Sequence, residues 1–273
     1  MTSEPNFATL ERFALDLAAA AATTSLPLFR LKGLGEINKG NASRADVHFD
    51  PVTEADKGAE RAIRALINQT FPEHGIIGEE YGSENPDAEY VWVLDPVDGT
   101  RAFISGLPLW TNLIGLRHNG QPVLGAIGQP YLGEVFLGSP LGSRLIGPNG
   151  DVPLHVRACT KLNDAVIGTT DPHLFRGTEI AAYDGLREAV KLVRYGCDAY
   201  AFAMVAMGTM DIALETGLKC WDIEAIIPVI ENAGGVVTDW RGNPVGQDGG
   251  QVIAAGSRAL LDQALEHLSK AAV

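Results

Sequence analysis

The amino-acid sequence predicts an α/β protein, because segments of strand length and segments of helical period share the chain. Between Leu109 and Val156, short apolar runs are separated by turn-forming tetrapeptides at 118–121 and 148–151, a pattern typical of an antiparallel sheet. After Lys161, apolar runs of strand length alternate with segments of helical periodicity. We therefore expect an antiparallel sheet first and an alternating set of strands and helices after it.

Periodicity also places the individual elements. A first amphipathic helix has apolar residues from Phe7 to Ala21 and is expected to end before Pro27. A second helix is expected to follow Thr53, whose hydroxyl is suited to cap it, and to stop at Pro72. The other predicted elements are strands at 76–77 and 90–94, a strand at 165–169, helices at 184–190 and 199–207, a strand at 210–215, a helix at 221–232, strands at 236–238 and 252–255, and a final helix from Ser257.

The chain is expected to form one unit. It has 273 residues, of which 46% are hydrophobic, and this is enough to bury a sizeable core. No internal repeat, low-complexity segment or composition change marks a linker. We therefore expect a single unit over residues 1–273, made of two packed halves at about 1–157 and 158–273.

Charge and cysteine content disfavour several classes of protein. Lys and Arg number 21 against 34 Asp and Glu, so the net charge is −13, which disfavours nucleic acid and anionic membranes as partners. The three cysteines are far apart and odd in number, which favours a reducing compartment. The N-terminus shows no signal-peptide pattern, and the alanine run at 18–22 is too short to span a bilayer. We therefore expect a cytoplasmic location.

Acidic residues occur where predicted strands end and where predicted helices begin. Asp95 and Asp98 follow the apolar run 90–94, with the Val97 carbonyl between them. Oxygen donors of this kind suit a hard cation such as Mg²⁺. A turn built on Asp-Pro and Asp-Gly is the alternative for this motif alone. Three further segments place acids in similar positions: Thr53–Asp56, Gly78–Glu80 and Trp221–Asp222.

Taken together and in this order, the segments resemble the inositol monophosphatase family, a family of magnesium-dependent phosphatases that act on small molecules. The resemblance covers essentially the whole chain. It implies a layered αβαβα sandwich, with an antiparallel sheet in the first half and a smaller mixed sheet in the second, and it implies a homodimer. The matching segments are Val52–Asp56, Gly78–Glu80, Asp95–Thr100, Cys220–Asp222 and Gly234–Gly235.

The resemblance implies two or three Mg²⁺ ions in the active site. Glu79, Asp95 and the Val97 carbonyl would hold the first ion. Asp95, Asp98 and Asp222 would hold the second. Glu79 would also help to hold a third ion through waters. Paired cations would neutralise carboxylates that otherwise repel one another and would attract a phosphate group.

The resemblance also implies roles for residues that touch the phosphate and the attacking water. Gly99 and Thr100 would bind phosphate through backbone amides at a helix start. The Thr100 hydroxyl would donate to Asp56 and accept from the metal-activated water that attacks phosphorus directly. A capping acid is the alternative for Asp56, but because Thr53 already supplies a cap, we expect the catalytic role. Lys39 lies where relatives carry a lysine near the metals, and a solvated surface lysine is the alternative.

Specificity depends on fewer residues. The segments 101–110 and 196–200 resemble the histidinol-phosphate phosphatase branch, and Asp198 stands where inositol phosphatases have a small neutral residue. Glu215 matches a position that contacts the leaving alcohol. Asp198 and Glu215, called here the acidic wall, would favour the cationic leaving group of histidinol phosphate. The alternative for Asp198 is a cap on the next helix. The dipeptide Cys220-Trp221 counts against the histidinol-phosphate branch, because inositol phosphatases carry it.

The expected function is therefore Mg²⁺-dependent hydrolysis of a small phosphate monoester, with L-histidinol phosphate as the first choice. An inositol-1-monophosphatase or a broad sugar-phosphate phosphatase is the first alternative, and a nucleotide bisphosphatase is a weaker one. From another class, a catalytically silent regulator that binds metal or phosphate is the last alternative. The six histidines form no zinc-binding pattern, so zinc chemistry is not expected.

Overall fold

The computed structural model of the protein describes residues 6–31, 37–38 and 51–273. Lys39 lies outside the described residues, so its role stays a prediction.

The described chain contains eight α-helices and fifteen strands. The α-helices are α1 (Phe7–Ser25), α2 (Glu54–Thr70), α3 (Thr100–Ile104), α4 (Thr178–Ala189), α5 (Asp198–Ala206), α6 (Cys220–Ile223), α7 (Ile226–Glu231) and α8 (Arg258–Leu268). The strands are β1 (Ile37–Asn38), β2 (Pro51–Val52), β3 (Gly75–Gly78), β4 (Gly82–Glu84), β5 (Tyr90–Asp98), β6 (Thr111–His118), β7 (Gln121–Gln129), β8 (Glu134–Ser139), β9 (Gly142–Gly147), β10 (Gly150–Pro153), β11 (Val166–Thr169), β12 (Leu192–Tyr195), β13 (Ile212–Leu218), β14 (Val236–Thr238) and β15 (Gly250–Ala255). Short 3₁₀ helices lie at Leu26–Leu28, Leu162–Asp164, Pro172–Leu174 and Ser269–Ala271.

Two large sheets organise these elements. The larger sheet has eight strands in the order β10-β9-β8-β7-β6-β5-β3-β4, and its neighbours are antiparallel except for the parallel pair β3 and β5. The smaller sheet has five strands in the order β12-β11-β13-β15-β14 and mixes parallel with antiparallel pairs. The predicted antiparallel sheet thus contains one parallel pair, and the smaller mixed sheet is confirmed.

Three of the four buried apolar clusters in the described residues lie between the layers of helices and sheets. One lies between the pair α1 and α2 and the outer face of the larger sheet. A second fills the space between the two sheets around α5, α6 and α7. The third covers the far face of the smaller sheet with α4 and α8. The order of layers is therefore αβαβα, which confirms the predicted fold class. The division of the chain near residue 157 stays a prediction.

The predicted helix 221–232 is wrong as a single element, because it is split into α6 and α7. Pro228 lies in the first turn of α7. Proline has no N–H to donate to the carbonyl four residues earlier, and its ring collides with that carbonyl, so a continuous helix through Glu224 would be broken there. The break separates the helix that carries Asp222 from the apolar helix behind it. None of the helices in the described ranges is long and apolar enough to cross a bilayer.

Candidate active site

The carboxyl end of β5 carries Asp95 and Asp98. The predicted strand 90–94 is too short, because β5 continues through both acids. Along β5, Asp95 pairs with Leu113 and Asp98 pairs with Thr111, so β5 has one extra residue relative to β6. Residues three apart on a regular strand point to opposite faces. The bulge restores a common side for these two carboxylates, which is a frequent use of bulges beside functional sites.

A third carboxylate joins them from another layer. Asp222 lies in the short helix α6, and one oxygen each from Asp95, Asp98 and Asp222 lie within 4.8 Å of one another. These three residues are called the acidic cluster below. Asp95 is buried, whereas the other two are partly exposed. Two carboxylates thus come from the larger sheet and one from a helix docked on it.

Backbone hydrogen bonds orient two members of the acidic cluster. The N–H of Val97 donates to Oδ1 of Asp95 at 3.0 Å. The N–H of Lys219 donates to Oδ2 of Asp222 at 2.7 Å, in the arrangement of a helix cap. Asp222 therefore caps its own helix, and it also faces the other two carboxylates. The two descriptions are compatible because a carboxylate has two oxygens.

The third member, Asp98, connects the end of β5 to α5. Its Oδ2 accepts the backbone N–H of Ala199 at 2.8 Å and the hydroxyl of Thr111 at 3.2 Å. Ala199 belongs to α5, so this bond connects the helix to the end of β5. The bonds hold one side of the Asp98 carboxylate.

The acidic cluster carries more negative charge than its surroundings compensate. Burial is the main reason why the pKa of Asp95 lies well above its ordinary value, and the charge of Glu79 is the next. Burial also raises the pKa of Asp98 and of Asp222 to about 7.

These residues fit a divalent cation. Their donors are oxygens only, which suits Mg²⁺ better than a soft metal. Crowded, buried carboxylates repel one another, and a bound cation would remove that repulsion. The acidic cluster is therefore a chemically suitable metal site.

Glu79 directly follows β3, the strand that neighbours β5 on the side away from β6. Strand β3 is parallel to β5, with Gly78 opposite Leu94, and the N–H of Glu79 donates to the Leu94 carbonyl at 3.2 Å. Glu79 is partly exposed and does not belong to the group of oxygens within 4.8 Å. Its charge nevertheless raises the pKa of Asp95. The parallel pairing therefore brings the predicted ligand next to the acidic cluster, and its role as a ligand stays a proposal.

Asp56 combines two roles that the sequence analysis treated as alternatives. Its Oδ2 accepts the N–H of Thr53 at 2.7 Å, so Asp56 and Thr53 form a reciprocal cap at the start of α2. The Thr53 hydroxyl caps α2 as predicted, and Asp56 takes part in the same cap. The hydroxyl of Thr100 donates to Oδ1 of the same carboxylate at 3.1 Å. Burial raises the pKa of Asp56, although its hydrogen bonds oppose the shift.

The turn after β5 has the conformation expected of a phosphate-binding segment. Gly99 has a φ of 78°, a left-handed conformation that favours glycine, and α3 begins at Thr100. The Thr100 hydroxyl also lies 3.2 Å from the Val97 carbonyl, the predicted carbonyl ligand. A carbonyl oxygen has two lone pairs, so this contact leaves room for a second partner.

The acidic wall borders the same site. Asp198 is the first residue of α5, with a φ of 45°, and the cap position belongs to Cys197, which makes no side-chain cap. A Cβ built on Gly99 would lie 3.1 Å from Oδ2 of Asp198, so the carboxylate packs against the turn after β5. The capping alternative for Asp198 is therefore not observed.

Glu215 completes the acidic wall from β13. It is buried, and the backbone N–H of Thr170 and the hydroxyl of Thr169 both donate to its Oε1, the latter at 3.3 Å. Burial raises the pKa of Glu215 and of Asp198 to about 7, and the charge of Glu215 is the second cause at Asp198.

The sequence analysis missed several groups that orient these carboxylates, including Thr111, the N–H of Ala199 and Thr170. Thr111 is 13 residues from Asp98 and Ala199 is 101 residues from it. Sheet pairing and helix docking create these contacts, so no local pattern marks them.

Known proteins resemble this chain over most of its length. The sequence profile of the inositol monophosphatase family matches residues 7–272. The chloroplastic bifunctional phosphatase IMPL2 of Arabidopsis thaliana is 44% identical over 230 residues, which are 81% of this chain and 66% of that protein. A histidinol-phosphatase of Chlorobaculum parvum is 35% identical over 245 residues, which are 89% of this chain and 91% of that protein.

A solved structure shares the fold. An inositol monophosphatase from Zymomonas mobilis is 36% identical and superimposes with a TM-score of 0.83, covering 97% of this chain and 100% of that chain. Proteins named for histidinol phosphate and for inositol phosphate thus both resemble this chain. The comparisons identify the reaction class and leave the ester to be decided by the site.

Proposed function

Because the chain belongs to the inositol monophosphatase family and is a metal-dependent phosphomonoesterase, we propose that it hydrolyses L-histidinol phosphate to L-histidinol and phosphate. The observation that carries this choice is the acidic wall, Asp198 and Glu215, beside the acidic cluster. Histidinol presents an ammonium group and an imidazole, whereas inositol presents hydroxyls only.

The acidic wall favours a cationic leaving group for an electrostatic reason. Both carboxyl groups have a pKa of about 7 because burial disfavours their charged forms. A cation placed beside them would stabilise the ionised forms and lower both pKa values. A neutral polyol could hydrogen-bond to the same groups but would not offset their charge. The acidic wall should therefore bind the cationic histidinol group more tightly than the neutral inositol group.

Mg²⁺ is the proposed cofactor, with two or three ions per site. Asp95, Asp98 and Asp222 would hold it, together with Glu79 and the Val97 carbonyl. When bound, Mg²⁺ would offset the charge of the phosphate and lower the pKa of a coordinated water.

Thr100 and Asp56 would orient the attacking water and take its proton. The water would donate to Oγ1 of Thr100, whose own proton is directed at Oδ1 of Asp56, 3.1 Å away. The raised pKa of Asp56 suits it to receive a proton. The water oxygen would then bond to phosphorus while the ester P–O bond breaks. The departing alkoxide would take a proton from solvent water and leave as the alcohol, and Asp56 would later return its proton to solvent. The backbone amides of Gly99 and Thr100 would hold the phosphate oxygens during the transfer.

A comparison of esters tests the proposal. Initial rates on L-histidinol phosphate, myo-inositol 1-phosphate and a neutral primary phosphate ester, all at saturating Mg²⁺, separate charge from size. The proposal expects the highest kcat/KM on histidinol phosphate. Faster turnover of the inositol ester would overturn the choice of substrate while leaving the phosphatase chemistry intact.

An inositol or broad sugar-phosphate phosphatase is the second candidate. The dipeptide Cys220-Trp221 and the similarity to the Zymomonas mobilis structure favour it. The predicted enzyme class, a phosphoric monoester hydrolase, is confirmed by the family, so a silent regulator is disfavoured. The homodimer and the cytoplasmic location stay predictions.

A further inference from the structure

A buried carboxylate outside the predicted site holds the turn that follows β3. Glu60 lies in α2 and is fully buried. Its Oε2 accepts the backbone N–H of Glu80 at 2.8 Å, and its Oε1 accepts the backbone N–H of Tyr81 at 3.1 Å. Arg64, one turn further along α2, donates its Nε to Oε1 at 2.8 Å. Three donors thus satisfy one buried negative charge.

These bonds hold the two peptide groups that come directly after Glu79. The N–H of Glu79 itself is held by the Leu94 carbonyl of β5. The backbone around Glu79 is therefore fixed on one side by the sheet and on the other by α2. A buried charge is costly unless it is paired and hydrogen-bonded, and the three donors to Glu60 meet that requirement.

The packing around Glu60 leaves no space for adjustment. A Cβ built on Gly78 would lie 2.2 Å from Oε1 of Glu60, so residue 78 can only be glycine while Glu60 keeps its place. Glu60 is also one helical turn after Asp56, so both acids lie on the same side of α2. One face of this helix therefore contacts both the Thr100 hydroxyl and residues 79–81, called here the Glu79 turn.

We propose that Glu60 is a positioning residue for the metal site, and that it acts by holding Glu79 at the distance from Asp95 that a bound cation requires. The inference rests on the proposed function, in which Glu79 is a metal ligand. Residues that orient a ligand without touching the metal commonly change metal affinity by 10–100-fold.

Glu60→Gln is the informative substitution, because it keeps the shape of the side chain. An amide has one acceptor oxygen and one NH₂ group that only donates. The N–H groups of Glu80 and Tyr81 bond to different oxygens of Glu60, so either orientation of the amide sets one peptide N–H against a donor. The Glu79 turn must then move.

Glu11→Gln is the matched control. Glu11 is also a buried glutamate with an arginine partner, since Arg144 lies 2.7 Å from its Oε2, and it accepts the Ser139 hydroxyl. It lies in α1, against the end of the larger sheet that is remote from β5. Both substitutions remove one buried charge beside an arginine, so both should lower stability. Only Glu60→Gln should change the metal site.

The experiment measures Mn²⁺ binding to the full-length protein by electron paramagnetic resonance, at a temperature where urea unfolding shows each variant to be folded. Glu60→Gln should bind Mn²⁺ at least about tenfold more weakly than wild type, with Glu11→Gln within about twofold. Glu60→Asp, which keeps the charge but shortens the side chain, should also weaken binding. It serves as the second variant if the glutamine form does not fold.

The Mn²⁺ affinities of the variants decide whether Glu60 positions Glu79. Wild-type affinity in Glu60→Gln would overturn the inference, and so would an equal loss in Glu11→Gln, because the change would then follow stability alone. Glu79→Gln separates the inference from its premise. If Glu79→Gln weakens Mn²⁺ binding and Glu60→Gln does not, only the positioning role fails. If Glu79→Gln binds normally, the ligand assignment fails and the positioning role fails with it.

Discussion

A row of glycines in the larger sheet sets how closely the helix bearing Asp222 approaches the other two carboxylates. Gly115, Gly125 and Gly138 lie directly opposite one another on β6, β7 and β8. The segment after Asp222 packs on this row without intervening side chains. A Cβ built on Gly125 would lie 2.0 Å from the carbonyl oxygen of Ala225. Gly125→Ala therefore tests whether this docking positions Asp222.

The required displacement follows from the contact distance. Ordinary van der Waals contact begins at 3.4 Å, so the Ala225 carbonyl would have to move by about 1.4 Å. Ala225 is three residues after Asp222 and lies between α6 and α7. A shift of its carbonyl should therefore also displace Asp222. We expect the overpacking to cost about 1–3 kcal/mol of unfolding free energy. We also expect the Mg²⁺ concentration for half-maximal activity to rise at least about tenfold.

Gly128→Ala is the control on the same strand. Gly128 is buried, but a Cβ there would lie 3.7 Å from its nearest neighbour, Ala18, on the opposite face. Urea unfolding and a Mg²⁺ titration of phosphate release should show both effects in Gly125→Ala and neither in Gly128→Ala. If Gly125→Ala lost stability but kept the wild-type Mg²⁺ dependence, the glycine row would support folding only, and the reasoning would be refuted.

Three further outcomes are expected. Asp98→Asn should lower kcat by more than about 100-fold, because loss of a direct metal ligand should reduce activity more than loss of an outer-shell partner. Steady-state rates over a wide Mg²⁺ range check this. Near-normal turnover would show that Asp98 is not a metal ligand. Asp198→Asn should lower kcat/KM on histidinol phosphate by about tenfold or more while changing a neutral ester little, and equal losses on both would end the argument for the acidic wall. His74 should contribute less to stability at acid pH, because burial lowers its pKa below the ordinary 6.5 and its Nδ1 accepts the Trp92 Nε1–H at 3.1 Å. Protonation of His74 favours the unfolded chain, so its contribution is present above about pH 6.5 and is lost as the pH falls through the folded pKa, whereas the buried carboxyl groups with raised pKa values act in the opposite direction in wild type and variant alike. The unfolding free energy that His74→Gln loses relative to wild type should therefore be smaller at about pH 5 than at about pH 7, the effect of exposed His173→Gln should stay constant over this range, and a constant difference in His74→Gln would contradict the assignment.

Local patterns in the sequence were sufficient for many elements of the fold. The predicted turn at 118–121 is confirmed as a two-residue hairpin, in which Asn119 and Gly120 have φ values of 49° and 78°. Thr53 caps α2, as predicted, and the helix predicted from Ser257 is α8, which Ser257 caps. These features depend on residues that are close in sequence, so propensity and capping chemistry predict them.

Other features depend on contacts that a single segment does not contain. The bulge that turns Asp95 and Asp98 to one side exists only because β5 pairs with β6. The bond from Ala199 to Asp98 requires α5 to dock against the end of another sheet. The break between α6 and α7 differs from these features, because it follows from Pro228 alone, which cannot lie in the interior of a continuous helix.

The dual role of Asp56 shows why site residues were harder to assign than elements. Capping and contact with Thr100 were treated as competing explanations, yet the two carboxylate oxygens serve both. The same holds for Asp222, which caps α6 and belongs to the acidic cluster. A local explanation for an acidic residue therefore does not exclude a functional one.

The central claim is that Asp95, Asp98 and Asp222 converge to hold a divalent cation, and a crystal grown with Mn²⁺ tests it most directly. Anomalous scattering at the manganese edge should show a peak bounded by one oxygen from each of the three carboxylates, at about 2.0–2.3 Å. Strong peaks elsewhere in the molecule, with none among these three side chains, would contradict the account.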